Sequence, residues 1–192
     1  MAGRICPHWV GYLLLNPLRK FLENPEKILG RLVKEGMTVL EPGCGMGYFT
    51  LPLARMVGAQ GRVIAVDIQP RMLVGLFKRA QKAGLSGRIE LRRAGSDGLG
   101  IEDLTGQVDF VAALHMVHEM PDVRGFLSEV QRALKPGGRM LVVEPRGHVS
   151  NAHFAETVTA AEQVGFQVDP DVAGTRGRKV LLVKPDGGSS PT

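Results

Sequence analysis

Residues 39–50 read VLEPGCGMGYFT: an apolar run, an acid, then glycine at every second position, Gly43, Gly45 and Gly47. Glycine carries no Cβ and tolerates left-handed backbone, so such a loop lets a ligand lie directly on the main chain. The stretch FTLPLARMVG that follows reads as a helix whose first N–H groups would face that ligand. The spacing is not the dinucleotide G-x-G-x-x-G: the third glycine of that pattern would fall on Tyr48 or Thr50. Glu41, immediately before the loop, opposes a pyrophosphate and suits a ligand with a cationic end, such as an amino acid ammonium near a sulfonium. Asp67 closes VIAVD (63–67), about twenty residues beyond the loop, where an acid accepts from ribose hydroxyls. Taken singly, the loop could be a turn and Asp67 a solvated strand end; their combination points to a bound cofactor.

Other residues invite chemistry. HMVHE (115–119) brings His115, His118 and Glu119 together after an apolar run. It is not the helical zinc pattern, no third ligand is obvious, and no metal is expected. His115, His118, Glu144 and His148 are the candidate proton acceptors, with His115 and His118 the preferred substrate-facing pair. His118 reads equally as a structural hydrogen-bonder. Cys44, between two glycines, reads as a small residue that fits. The segment 71–93 holds seven basic residues and one acid, Glu90, but no interleaved aromatics, so a solvated face is favoured over a nucleic-acid stripe.

The elements that must position these residues alternate. Strands are expected at 37–41, 62–67, 88–92, 108–114, 139–144, 165–169 and 179–184, most without polar alternation, hence covered on both faces. Helices are expected between them. Leu73, Leu76, Phe77 and Ala80 mark one; Val123, Phe126, Leu127, Val130 and Leu134 a second, with Pro121 in its first turn; Phe154, Val158 and Ala161 a third, closed by Gly165. Ile28, Leu32 and Val33 mark a lead-in helix. Strand alternating with helix gives a Rossmann-like α/β fold, a mainly parallel sheet with helices on both faces. The stretch 165–183 is too short for a crossover helix and carries turn signals at Asp169–Pro170 and Gly174–Gly177, so the last strand is expected to be antiparallel.

The chain has 192 residues, 44% hydrophobic and 22% charged, with a net charge of +5. This suits a single domain over 1–184, with an amino-terminal helical cap and lead-in over 1–35 and a flexible tail over 185–192. No apolar run approaches the ~18 residues of a membrane span, and the first residues lack a signal-peptide pattern. Two cysteines, Cys6 and Cys44, make no disulfide framework, and a cytoplasmic setting is expected.

VLEPGCGMG (39–47), VIAVDIQP (63–70), GSDGL (95–99), VDFVAALHMVHEMPD (108–122), ALKPGGRMLVVEP (133–145) and AEQVGFQV (161–168) together resemble class I S-adenosylmethionine-dependent methyltransferases. The resemblance covers about residues 24–184. It is greatest to the small-molecule branch that includes the ubiquinone/menaquinone and arsenite methyltransferases. It implies a seven-stranded sheet with an antiparallel last strand and S-adenosylmethionine as cofactor. It also implies that Gly43, Cys44, Gly45 and Gly47 line the methionyl part and ribose, and that Glu41 orients the amino group. Asp67 would take the ribose hydroxyls, Ile68 would pack on adenine, and Asp97 (or Ser96, one register away) would accept from the adenine amine. Leu114 and His115 would flank the cofactor. In this family amino-terminal helices cap the substrate site, so 1–22 reads as either a lid or a packing helix.

The expected function is methyl transfer to a small molecule. A nucleic-acid or protein methyltransferase is the alternative, favoured by the basic charge and opposed by the lack of an N/D-P-P-Y/F/W tetrapeptide after the fourth strand. An NAD(P)-binding oxidoreductase and a non-catalytic cofactor-binding subunit are further readings. Arsenite is disfavoured, because only two cysteines are present.

Overall fold

The computed structural model describes residues 23–145, 147–170 and 178–186. The expected cap over 1–22, the turn at Gly174–Gly177 and all but the first two residues of the tail lie outside them. The described chain divides into two compact units at Gly100 and Ile101.

The first unit opens with α1 (Pro25–Leu29). The Asn24 side chain caps it by accepting from the N–H groups of Glu26 and Lys27. This lead-in is shorter than the sequence suggests: it buries Leu29, and beyond it Val33 is buried as expected, while Ile28 and Leu32 are half-buried. Then follow β1 (Thr38–Pro42), α2 (Thr50–Met56), β2 (Arg62–Asp67), α3 (Pro70–Lys82) and β3 (Ile89–Arg93). The strands pair in parallel, with Glu41 opposite Ala65 and Asp67 opposite Arg93. Val63 to Val66 are fully buried, as expected of a strand covered on both faces.

The second unit holds β4 (Val108–Leu114), α4 (Val123–Ala133), β5 (Leu134–Val143), α5 (Asn151–Gln163), β6 (Gln167–Val168) and β7 (Lys179–Val183). β4 and β5 are parallel; β5 with β7, and β6 with β7, are antiparallel. The seven strands run in the order β3-β2-β1-β4-β5-β7-β6. This is the expected mostly parallel sheet with its antiparallel end, flanked by helices.

Three expectations shift. In α3 the buried line is Met72, Leu76 and Ala80, an i, i+4, i+8 row, while Phe77 is exposed and Leu73 only half-buried. In α5 the buried residues are Thr157 and Ala161, and Phe154 and Val158 stay partly open. Leu76, Ala80 and Ala161 are buried as expected, while Met72 and Thr157 take the places expected of Leu73 or Phe77 and of Val158. Leu134, expected to end α4, begins β5 instead, and Pro121 precedes the cap, where the Asp122 side chain accepts from Gly125 N–H. Pro136-Gly137-Gly138, which by composition should break regular structure, lies within β5 as an irregular stretch. It is pinned there by Gly137 N–H donating to Lys184 O and Lys184 N–H donating to Gly138 O.

Leu141, fully buried at the centre of β5 and opposite Leu181 in β7, tests this core. Leu141→Ala is expected to lower unfolding free energy by about 2–5 kcal/mol in urea titrations. Val74→Ala on an exposed site of α3 should change it by under about 0.5 kcal/mol.

Candidate active site

The first unit gathers Glu41, Cys44, Gly45 and Asp67 at the carboxyl ends of β1 and β2. Gly43, Gly45 and Gly47 all adopt positive φ, 69°, 53° and 83°. The two glycines at either side of Met46 do different things. A Cβ on Gly45 would point into open space, whereas one on Gly47 would collide with Leu76 Cδ1 of α3. Gly45 therefore leaves the backbone bare toward a ligand, and Gly47 lets the loop close on its neighbouring helix.

The loop is held by its own chain. Cys44 N–H donates to Val66 O (3.1 Å), and Gly47 N–H to Cys44 O (3.0 Å). Gly45 N–H donates to Asp67 Oδ2 (2.9 Å), and Gln69 N–H to Asp67 Oδ1 (2.8 Å). Asp67 thus ties the loop to the end of β2. Each oxygen keeps a further lone pair for another donor. Burial pushes its pKa up, and the bonds from Gln69 and Gly45 pull it down.

Glu41 is 3% exposed. Burial raises its carboxyl to about pKa 8, the Thr50 side chain pulls it down and the Asp67 charge pushes it up. Neither Glu41 Oε2 nor Thr50 Oγ1 makes a hydrogen bond of good geometry. The Thr50 hydroxyl therefore acts on Glu41 by proximity, and a buried carboxylate oxygen waits for a donor. Cys44 lies beside these acids. Burial, then Glu41 and Asp67, push its thiol well above the ordinary range, so it remains protonated and is no nucleophile.

Ile68 follows Asp67 and is 42% exposed, an apolar surface at the strand end. Asp97 is exposed, on a turn closed by Gly95 N–H donating to Gly98 O. That turn follows Ala94, whose N–H donates to Asp67 O.

The second unit carries the histidines. Leu114 ends β4 and is buried. His115 has φ 60°, a conformation rare for a non-glycine residue and concentrated at functional sites, and its N–H donates to Val143 O (2.7 Å). His118, in the 3-10 turn Val117–Glu119, is gripped twice by Glu144: its N–H donates to Oε1 (3.0 Å), and Nδ1 lies 2.6 Å from Oε2. The Glu144 side chain is 2% exposed and that of His118 is 22% exposed. The bond to Glu144 raises the His118 pKa, burial lowers it, and the charges of Glu144 and Glu119 add to the rise. The sequence named both residues as candidates without pairing them, because 26 residues and a whole helix separate them. His148 is exposed. Among the described residues no group of His, Cys, Asp or Glu could hold a metal ion.

Three of the seven basic residues of the segment 71–93 are hydrogen-bonded within the protein as follows. Arg79 Nη1 donates to Met46 O, Arg88 Nη1 to Ala54 O (3.3 Å), and Arg92 Nε to Glu90 Oε1 (2.7 Å). For Arg79 the structure departs from the solvated basic face that the sequence suggests, since its guanidinium is bonded to the glycine loop.

A methyltransferase-domain family model matches residues 33–176. The ubiquinone/menaquinone biosynthesis C-methyltransferase UbiE of Enterobacter sp. (strain 638) is 35% identical over 112 residues, 58% of this chain and 44% of its own length. That of Salmonella arizonae is 34% identical over 148 residues, 75% of this chain and 58% of its own. The chain therefore spans about half the length of the curated relatives it matches. Among solved structures, a SAM-dependent methyltransferase from Aquifex aeolicus superposes with TM-score 0.82 at 26% identity, covering 94% of this chain and 100% of that one. A SAM-dependent O-methyltransferase from Thermotoga maritima gives 0.68 at 21% identity, over 92% and 73%, and shares the fold.

Glu41 has a consequence for stability. Between about pH 5 and pH 8 the folded protein keeps a proton that the unfolded chain releases, so this residue's contribution falls as pH rises. Glu41→Gln removes the titration. Without ligand, the variant's Tm relative to the wild type is expected to climb from pH 5.5 to pH 8.5; parallel melting curves would contradict the buried, unpartnered carboxyl.

Proposed function

Because the chain belongs to the S-adenosylmethionine-dependent methyltransferases, we propose that it methylates a small molecule that must lose a proton to react. We further propose that both units serve one catalytic domain, 1–184, a reading supported by the family match that runs through both. S-adenosylmethionine supplies a methyl group on an electrophilic sulfonium.

The residues present fit that cofactor. The orphaned Glu41 Oε2 would accept from its ammonium, the bare Gly45 backbone would admit its methionyl part, and the spare lone pairs of Asp67 would accept from its ribose hydroxyls. Ile68 offers an apolar surface for the adenine, with Asp97 as acceptor for its amine. Gly43 and Cys44 complete the loop, with Cys44 a neutral filler. Leu114 and His115 are the residues that, by the family resemblance, flank the cofactor.

The observation that carries the acceptor class is the His118–Glu144 pair. A buried carboxylate on Nδ1 fixes the ring and strengthens its other nitrogen as a base, leaving Nε2 to take a proton from the acceptor. A thiolate or arsenite needs no such group. A phenolic or enolic hydroxyl, or a ring carbon activated by one, does. The UbiE relatives are named as C-methyltransferases of ubiquinone/menaquinone biosynthesis, which supports a small-molecule acceptor methylated at carbon. The guanidiniums committed to main-chain carbonyls weigh against a nucleic-acid acceptor.

Two measurements test this. S-adenosylhomocysteine should raise the Tm of the wild type, and Asp67→Asn should weaken its binding by tenfold or more in titration calorimetry; unchanged affinity removes Asp67 from the ribose. In a panel of phenols and quinols assayed for S-adenosylhomocysteine release, turnover should rise with pH through the elevated pKa of His118. His118→Gln should lower kcat about 10²–10⁴-fold, and Glu144→Gln should move the inflection down. A pH-independent rate that survives His118→Gln would exclude the base.

A further inference from the structure

Helix α3 touches the glycine loop at three points. The Cβ position of Gly75 lies 3.1 Å from Met46 Cγ and 3.3 Å from Met46 Sδ, so a larger residue there would press on the loop. Leu76 fills the space that a side chain at Gly47 would need. Arg79, one turn on, donates from Nη1 to Met46 O. These three residues are spaced i, i+1 and i+4, one edge of the helix, and Met46 is itself buried. Arg79 is half-buried, and burial lowers its pKa, so an ion has been partly desolvated to make this one bond. A desolvated guanidinium on a main-chain carbonyl is a strong charge-assisted donor.

From this we infer that Arg79 is a positioning residue for the cofactor: it holds the Met46 carbonyl toward α3 and so sets the orientation of the Met46–Gly47 peptide. Of the other loop bonds, that from Gly45 N–H to Asp67 holds the Cys44–Gly45 peptide, and that from Gly47 N–H to Cys44 O holds the N–H side of this same Met46–Gly47 peptide. Arg79 holds its carbonyl side. Without it that peptide is tethered only through Gly47 N–H, and its oxygen can tilt away from α3 toward the space that Gly45 leaves open. Oxygen pointed there would meet the cofactor instead of the helix. The inference rests on the cofactor reading above, and its test separates the two.

The experiment compares wild type, Arg79→Met, Arg79→Lys and Lys78→Met for S-adenosylhomocysteine affinity by calorimetry. Melting of the ligand-free proteins and the amide NMR signals of Gly45 and Gly47 are followed in parallel. Lys78 is the exposed neighbour, and its loss changes the net charge equally. Arg79→Met should weaken binding about tenfold, Arg79→Lys should recover part of that loss, and Lys78→Met should bind as the wild type does. In ligand-free Arg79→Met the Gly45 and Gly47 signals should broaden or shift and return on saturation, which a general loss of stability would not produce. Equal affinity of Arg79→Met and wild type, or glycine signals that do not move, overturns the positioning role. Absence of binding by the wild type overturns the cofactor reading instead.

Discussion

The Asp67 carboxylate accepts from Gly45 N–H and Gln69 N–H, and the shape of the glycine loop follows from that pair of bonds. One oxygen reaches back across 22 residues to the loop; the other caps the turn out of β2. The strand ends and the loop are thereby one rigid object. The acid assigned to ribose is first a structural tie, and only its remaining lone pairs are available to a ligand. This explains why the position tolerates being 8% exposed. A buried carboxylate with two backbone donors stays ionised more readily than one with none.

Glu41 is that second kind. It is as deeply buried as Asp67 but ends with an unpartnered oxygen, and its two nearest ionisable neighbours, Asp67 and Cys44, offer it no positive charge. Such a group is either neutral or waiting for a cation. A methionyl ammonium beside a sulfonium is the cation its family provides. Burial first, and Glu41 and Asp67 after it, keep the Cys44 thiol protonated.

Much of this was legible in the sequence. Unbroken apolar runs gave β2 and β4 to the residue, because strands buried on both faces have no competing polar signal. G-x-G-x-G, Glu41 and Asp67 named the loop and its acids. The amphipathic faces of α3 and α5 were less legible. The periodicity marks a side of the helix, but which neighbouring row is buried depends on packing partners: Met72 and Thr157 went inside while Phe77 stayed out. The Gly47 role was also hidden, since bare backbone beside a ligand and bare backbone beside a leucine look identical in one dimension. The His118–Glu144 and Arg79–Met46 pairs required knowing which strand ends and helix edges adjoin, and no spacing encodes that.

The most direct test is a crystal structure with S-adenosylhomocysteine. The account predicts both ribose hydroxyls within hydrogen-bonding distance of Asp67 while Gly45 N–H still donates to the same carboxylate, and the ligand's ammonium against Glu41. A ligand seated elsewhere, or an Asp67 that must release Gly45 in order to bind it, would contradict the claim that this loop is built in advance for the cofactor.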